Sequence, residues 1–161
     1  MDDVDEIVAA WQRERPDVDA TPLHVLSRVS RLAEILAGRR KKIFAEHLLR
    51  PYEFDVLAAL RRAGAPYELT PGQLIAQTHV TSGTMTNRLD LLAERNLVRR
   101  LPDPEDGRVT RVQLTAAGRR RVDSALTDLL EVEAALLAAL SQSEQAALAG
   151  ALQAMLNGPR S

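Results

Sequence analysis

Apolar residues recur three and four apart along most of the chain and alternate only in a short stretch around residue 100. The first spacing belongs to amphipathic helices, the second to half-buried strands. Ile7, Val8 and Trp11 mark a short opening helix. Arg15-Pro16-Asp17 breaks it, because the residue before proline is pushed out of the helical region. A longer helix is predicted after Thr21-Pro22, with Thr21 as N-cap and Pro22 in the first position. Its apolar stripe is Leu23, Leu26, Val29, Ala33 and Leu36. Arg39-Arg40-Lys41-Lys42 falls near its expected end, where basic side chains suit the helix dipole. A third helix is predicted over 51–63, opened by Pro51 and closed by Gly64. It is apolar almost all round from Phe54 to Leu60, so it is expected to be buried, and Asp55 within it requires a cationic partner.

Residues 70–95 carry the clearest local signal. Thr70-Pro71-Gly72-Gln73 combines an N-cap, a proline at N1 and a glutamine at N3, the pattern of a capping box. A short helix over 71–77 follows, then a tight link at Thr78-His79-Val80 and a second helix from Thr81-Ser82-Gly83-Thr84. Two short helices joined this closely form a helix-turn-helix. At 100° per residue, Met85, Leu89 and Leu92 fall within about 60° of one another and define the inner face. Gly83 and Asn87 point away, Thr84 and Thr86 stand on the shoulders, and Arg88 tilts toward the core side. A small, hydrogen-bonding outer face suits entry into a major groove, where Asn pairs with adenine and Thr meets a thymine methyl. Thr81, Ser82, Gly83, Thr84, Thr86 and Asn87 are the candidate DNA-contacting residues of this helix.

Leu97–Leu101 and Val109–Leu114 flank Pro102-Asp103-Pro104-Glu105-Asp106-Gly107-Arg108, a run of turn formers, and predict a β-hairpin. Arg108 at its tip is a candidate for the minor groove; a salt bridge to Asp103 or Asp106 is its structural alternative. A long helix capped by Thr115 and a last helix restarted at Ser141 or Ser143 complete the chain, and Asn157-Gly158-Pro159 stops the latter. Ala147, Leu148, Ala151, Leu152, Met155 and Leu156 form one apolar stripe on it. The expected fold is mainly α with a small β-hairpin wing, a winged helix-turn-helix in one domain over 1–161. Residues 50–118 form the DNA-binding part. The helices of 1–48 and 119–157 are more apolar than a small winged helix needs and are expected to build a homodimer.

Composition narrows the function. The 161 residues are 45% hydrophobic and 27% charged, with no cysteine. Disulfides, thiolate catalysis and Cys-based metal sites are therefore excluded. No apolar run approaches the ~18 residues of a membrane span, and the acidic N-terminus has the wrong sign for a leader, so a soluble cytoplasmic protein is expected. Residues 81–121 hold 9 basic and 5 acidic side chains, whereas 122–161 hold 1 and 5. A basic segment inside a near-neutral chain points to a polyanion, here double-stranded DNA. His24, His47 and His79 have no metal-ligand spacing, and no phosphate-binding or nucleophile-elbow motif is present. No enzyme, cofactor or metal is expected. A winged-helix DNA-binding regulator without a small-molecule ligand and a winged-helix protein-interaction module are the alternatives, and the polar face of 83–87 argues against the second.

Thr81-Ser82-Gly83-Thr84-Met85-Thr86-Asn87-Arg88-Leu89, Leu97-Val98-Arg99-Arg100, Asp103-Pro104-Glu105-Asp106-Gly107-Arg108 and Val112-Gln113-Leu114-Thr115-Ala116-Ala117-Gly118 resemble the MarR transcriptional regulators. The resemblance implies an obligate winged-helix dimer on a pseudo-palindromic operator, usually a repressor, released by a small and often anionic ligand. Trp11 to Asp17 and Glu53 to Arg62 are similar to the subgroup that answers urate or related organic acids. That similarity implies a ligand-binding set of Trp11, Asp55, Arg88 and Arg100, with the adjacent Arg99 as alternative to the last. The residues support the set independently: Asp55 needs a cation and Arg88 tilts toward the core, so an Asp55–Arg88 pair is expected, either purely structural or one for which an anionic ligand competes. Gly107 stands where the family more often has arginine, one positive charge fewer on the wing.

Overall fold

The computed structural model describes residues 2–158. Its elements are α1 (Asp3–Glu14), α2 (Leu23–Glu46), α3 (Pro51–Arg62), β1 (Glu68–Leu69), α4 (Pro71–Thr78), α5 (Ser82–Glu94), β2 (Val98–Pro102), β3 (Thr110–Leu114), α6 (Ala116–Leu137) and α7 (Gln142–Asn157). The mainly helical, winged architecture expected from the sequence is the one found. The hairpin gains a strand that the pattern did not announce: β1 pairs antiparallel with β3, giving the order β1-β3-β2. Two residues, Glu68 and Leu69, are too few to show alternation, and their register against Gln113 and Val112 comes only from β3.

The core is built around α3. Phe54 and Val56 through Leu60 are buried, as the near-continuous apolar sequence requires. They meet Leu74 of α4, Met85, Leu89 and Leu92 of α5, Val98 and Val112 of the sheet, and Val122, Ala125 and Leu129 of α6. Phe44 at the end of α2 stacks on Phe54 with ring centroids 4.2 Å apart. A small satellite of Val4, Val8, Ala20 and Leu23 holds α1 on α2. Arg28 reinforces it by donating to Asp2 and Asp5 at 2.7 and 2.8 Å.

The join between wing and α6 is closely packed. Thr115 caps α6 by accepting from Gly118 N, while its hydroxyl lies 2.8 Å from the Asn96 carbonyl. A Cβ on Gly118 would lie 2.1 Å from the Leu97 carbonyl oxygen, so only glycine lets α6 start against the end of α5.

Three local expectations are corrected. Thr21 does not cap α2: Pro22 precedes the helix in helical conformation, without a side-chain hydrogen bond. Helix α2 runs on to Glu46, so Arg39 to Lys42 lie outside its last turn and the dipole does not account for them. Asp55 lies outside the core, though the walls of a surface cavity partly enclose it. At 100° per residue, Pro51, Asp55 and Arg62 fall within about 40° of one another, and all three are exposed. The buried acid of α3 is Glu53, which is 2% exposed. Of the two serines considered, Ser141 caps α7, in a capping box with Glu144. Pro159, named as part of its stop, lies outside the described residues.

Much apolar surface stays open. Val25, Leu26, Leu32 and Ile35 on α2, Leu130 on α6, and Met155 and Leu156 on α7 are all exposed large hydrophobics. No residue of α7 is buried. The stripes predicted for the chain ends therefore exist as helix faces, but the single chain does not cover them.

Candidate nucleic-acid interface

The helix-turn-helix forms as its caps dictate. Thr70 accepts from Gln73 N at 3.2 Å, and the Gln73 side chain returns the bond to Thr70 N at 2.8 Å. His79 closes α4 in the left-handed region, at φ 54°. Two residues later Thr81 caps α5, its hydroxyl accepting from Thr84 N and donating to the Thr84 hydroxyl. Met85, Leu89 and Leu92 are at most 1% exposed, which fixes the rotation of α5.

That rotation leaves Ser82, Gly83, Thr84, Thr86 and Asn87 exposed. Thr86 donates its hydroxyl to the Ser82 carbonyl at 3.1 Å, which orients the side chain. The side chains of Ser82 and Asn87 have no partner among the described residues. A Cβ on Gly83 would meet nothing within 4 Å, so nothing inside the protein demands glycine there. The six candidates on and before α5 thus lie together at one helix start, where backbone N–H groups favour a phosphate.

The wing tip is organised by Asp103. One carboxylate oxygen accepts from Glu105 N and Asp106 N at 2.8 and 3.2 Å, the other from Arg111 Nε at 2.5 Å. The Arg111 guanidinium, helped by the two N–H groups, holds the Asp103 carboxyl below the ordinary aspartate range. Arg108 makes neither of its expected salt bridges. Only its backbone N–H donates, to Asp106 at 3.0 Å, and its exposed side chain has no partner among the described residues.

The four candidate ligand-binding residues are not brought into one site within the chain. Trp11 is half-exposed on α1 rather than packed in a core. Asp55 lines a cavity of about 380 Å³ with Ala33, Leu36, Ala37, Arg40, Phe44 and Pro51, and that lining includes neither Trp11 nor either candidate arginine. The expected Asp55–Arg88 ion pair does not form. Arg88 lies over the Tyr52 ring instead, 4.9 Å from its centroid. Asp55 still feels Arg88, and after it Arg40 and Arg62, but desolvation outweighs them and pushes its carboxyl up from the ordinary value.

The pleat separates the two wing arginines. Arg99 reaches across to Gln113, its register partner. Arg100 turns to α5 and pairs with Asp90 at 2.8 Å. Tyr52, Asp90 and the Glu53–Arg95 pair (2.6 Å) were not singled out from sequence. For Asp90 a signal existed: an acid on a helix meant to approach phosphates is out of place unless a cation holds it.

A helix-turn-helix that runs into a small antiparallel sheet, with a polar face on its second helix, defines the winged helix-turn-helix class of DNA-binding proteins. The MarR family profile matches residues 48–109. The chain is 35% identical over 143 residues to the HTH-type transcriptional regulator PecS of Dickeya dadantii, covering 89% of this chain and 86% of that protein. It is 28% identical over 144 residues to the HTH-type transcriptional repressor NicR of Pseudomonas putida, covering 87% and 89%. Among solved structures, a MarR family protein from Bacillus stearothermophilus superimposes with a TM-score of 0.72 at 23% identity, over 86% of this chain and 95% of that one. The chain belongs to the MarR family. It is a DNA-binding transcriptional regulator, as its relatives are, and not an enzyme. No helix among the described residues is long and apolar enough to cross a membrane.

Proposed function

We propose that the protein is a homodimeric repressor that grips a pseudo-palindromic operator and is released by a small anionic organic ligand. Thr81, Ser82, Gly83, Thr84, Thr86 and Asn87 enter the major groove, and Arg108 reaches an adjacent minor groove. The observation that carries this reading is the pairing of two unsatisfied surfaces. One is the exposed polar start of α5; the other is the open apolar faces of α2, α6 and α7. Residues 50–118 are the DNA-binding part, and the helices of 1–48 and 119–157 carry the dimer contacts. Burying the second surface against a second copy holds two copies of the first at a fixed spacing, as successive major grooves ~34 Å apart require. The name of NicR, a repressor, supports the direction of control.

For the ligand, the support is electrostatic. Asp55 is held above its ordinary range beside a cavity, with Arg88 and Arg40 as its nearest cations in effect. An anion drawn to Arg88 competes with the Tyr52 ring, and one drawn to Arg100 competes with Asp90. Either exchange removes a tie on α5. Trp11 on α1 is the fourth member of the set and the natural reporter.

The test is a gel shift on the DNA upstream of the protein's own gene, repeated with urate, citrate, aconitate and salicylate. A retarded band dissolved by one of them supports the whole reading. A band that none of them affects leaves a ligand-independent regulator. Trp11→Phe is expected to keep DNA binding and to change ligand affinity or fluorescence quenching.

A further inference from the structure

We propose that Asp90 and Arg100 form a strut that locks the wing to α5, making Asp90 a positioning residue for DNA recognition. Asp90 lies one turn beyond Thr86 and Asn87, on the helix whose start bears the groove-facing residues. Arg100 lies in the middle of β2, opposite Val112 of β3, on the strand that leads directly to the tip holding Arg108. The pair at 2.8 Å is therefore a side-chain tie between the two parts that must meet neighbouring grooves together.

Three features give it this role. The side chains are 40% and 49% exposed, so the pair adds little to folding stability; its effect is geometric. The contact is an ion pair, Arg100 Nη2 to Asp90 Oδ1 at 2.8 Å, that spans helix and strand and so limits the distance between them. A wing free to pivot would have to be ordered on binding, at a cost in affinity that a pre-set wing avoids. Asp90 is exposed on the same outer face of α5 as Gly83 and Asn87, and a negative charge there repels DNA unless a cation neutralises it. Arg100 does so from within the chain. On the wing itself, Asp103 holds Arg111 and stiffens the tip. Asp103–Arg111 thus shapes the finger, and Asp90–Arg100 sets its angle to the reading helix.

The inference rests on the reading of α5 and the wing as the DNA-contacting parts, and the experiment separates the two. Affinities for the operator and for an unrelated duplex of equal length are measured at one salt concentration. The proteins are the wild type, D90N, R100Q, the double variant D90N/R100Q, and N87A with R108A as controls. Thermal unfolding of each variant confirms the fold.

The strut predicts that D90N raises affinity for unrelated DNA, since an acid is lost, yet lowers the operator-to-unrelated ratio by about two- to five-fold. R100Q lowers the ratio by a similar factor, and the double variant is no worse than the worse single. The proposal is overturned if D90N leaves the ratio unchanged or strengthens both duplexes in parallel. It is also overturned if the two single effects add in the double variant, because independent residues behave that way. If N87A and R108A leave operator binding intact, the underlying reading of the interface fails instead.

Discussion

Gly83, Asp55 and Arg95 show single residues whose demands on the fold and on function differ. Gly83 sits at the second position of α5 with open space where a Cβ would stand. Gly83→Ala is expected to raise stability by up to about 1 kcal/mol, as alanine does at helical sites it can occupy. If the α5 backbone approaches DNA closely, the same change weakens operator binding; thermal unfolding and a binding titration read the two effects separately. Asp55 makes a second case. Its folded carboxyl titrates above the ordinary aspartate value, so its ionised form is disfavoured by the fold. Its favourable contribution is present at low pH and is lost as pH rises through the raised value. Asp55→Asn should therefore raise the unfolding midpoint at pH 7, and the gain should vanish as pH falls below about 4. A carboxylate kept at such a cost is expected where function uses it. Arg95 is the opposite: it holds the nearly fully buried Glu53 at 2.6 Å and also reaches the Leu48 carbonyl. Arg95→Ala removes the cation from Glu53 Oε1, while Oε2 still accepts from Arg50 N at 2.7 Å, and should cost roughly 2 kcal/mol, measured by denaturant unfolding.

At the scale of elements, caps and turns explain why the winged part was legible in the sequence. Thr70, Thr81, Thr115 and Ser141 each cap the helix they were expected to open. At Thr21-Pro22, read as an N-cap and a first-position proline, the boundary held but the cap did not. Side-chain partners were less legible than elements, because a pair depends on how two elements meet. Asp55 and Arg88 were matched by charge, yet the rotation of α3 turned Asp55 outward and a tyrosine took Arg88. Arg108 was matched to two acids, yet Asp103 was taken by Arg111, three residues further on. The α5–wing–α6 joint gives the sharpest prediction at this scale. Gly118→Ala forces a Cβ onto the Leu97 carbonyl and should cost about 3 kcal/mol or more, whereas Thr115→Ala, which removes a cap, should cost about 1. The wing also carries a pH dependence. Asp103 titrates below the ordinary aspartate range, so its hold on the tip is present at neutral pH and is lost as pH falls through its lowered value. Amide exchange at Glu105 and Asp106, corrected for its intrinsic pH dependence, should show reduced protection there.

For the whole molecule, the single chain leaves its apolar stripes uncovered, and this is why the end helices could be read as helices but not as packing partners. Periodicity reveals that a face is apolar; it does not say which surface covers it. The proposed dimer makes a direct demand on Leu130, which is 55% exposed on α6. Leu130→Glu is expected to leave helix content intact, to shift sedimentation toward a single-chain species, and to remove high-affinity operator binding with it. The charge distribution adds a second demand, since the basic segment 81–121 is followed by one that is acidic and apolar. The proposed reading therefore expects DNA contact on the part built by α5 and the wing rather than on α7.

The account turns on one physical claim, that the outer face of α5 and the tip of the wing meet duplex DNA. The most direct measurement is operator affinity as a function of salt for the wild type, Asn87→Ala and Arg108→Ala. The expected wild-type result is a straight fall of log K against log[salt], with a slope near −0.9 per contacted phosphate. Asn87→Ala should lose about 1–3 kcal/mol of discrimination with little change in that slope. Arg108→Ala should weaken binding and, through the lost positive charge, flatten the slope by about one. An affinity that ignores salt, or three curves that superimpose, would contradict it.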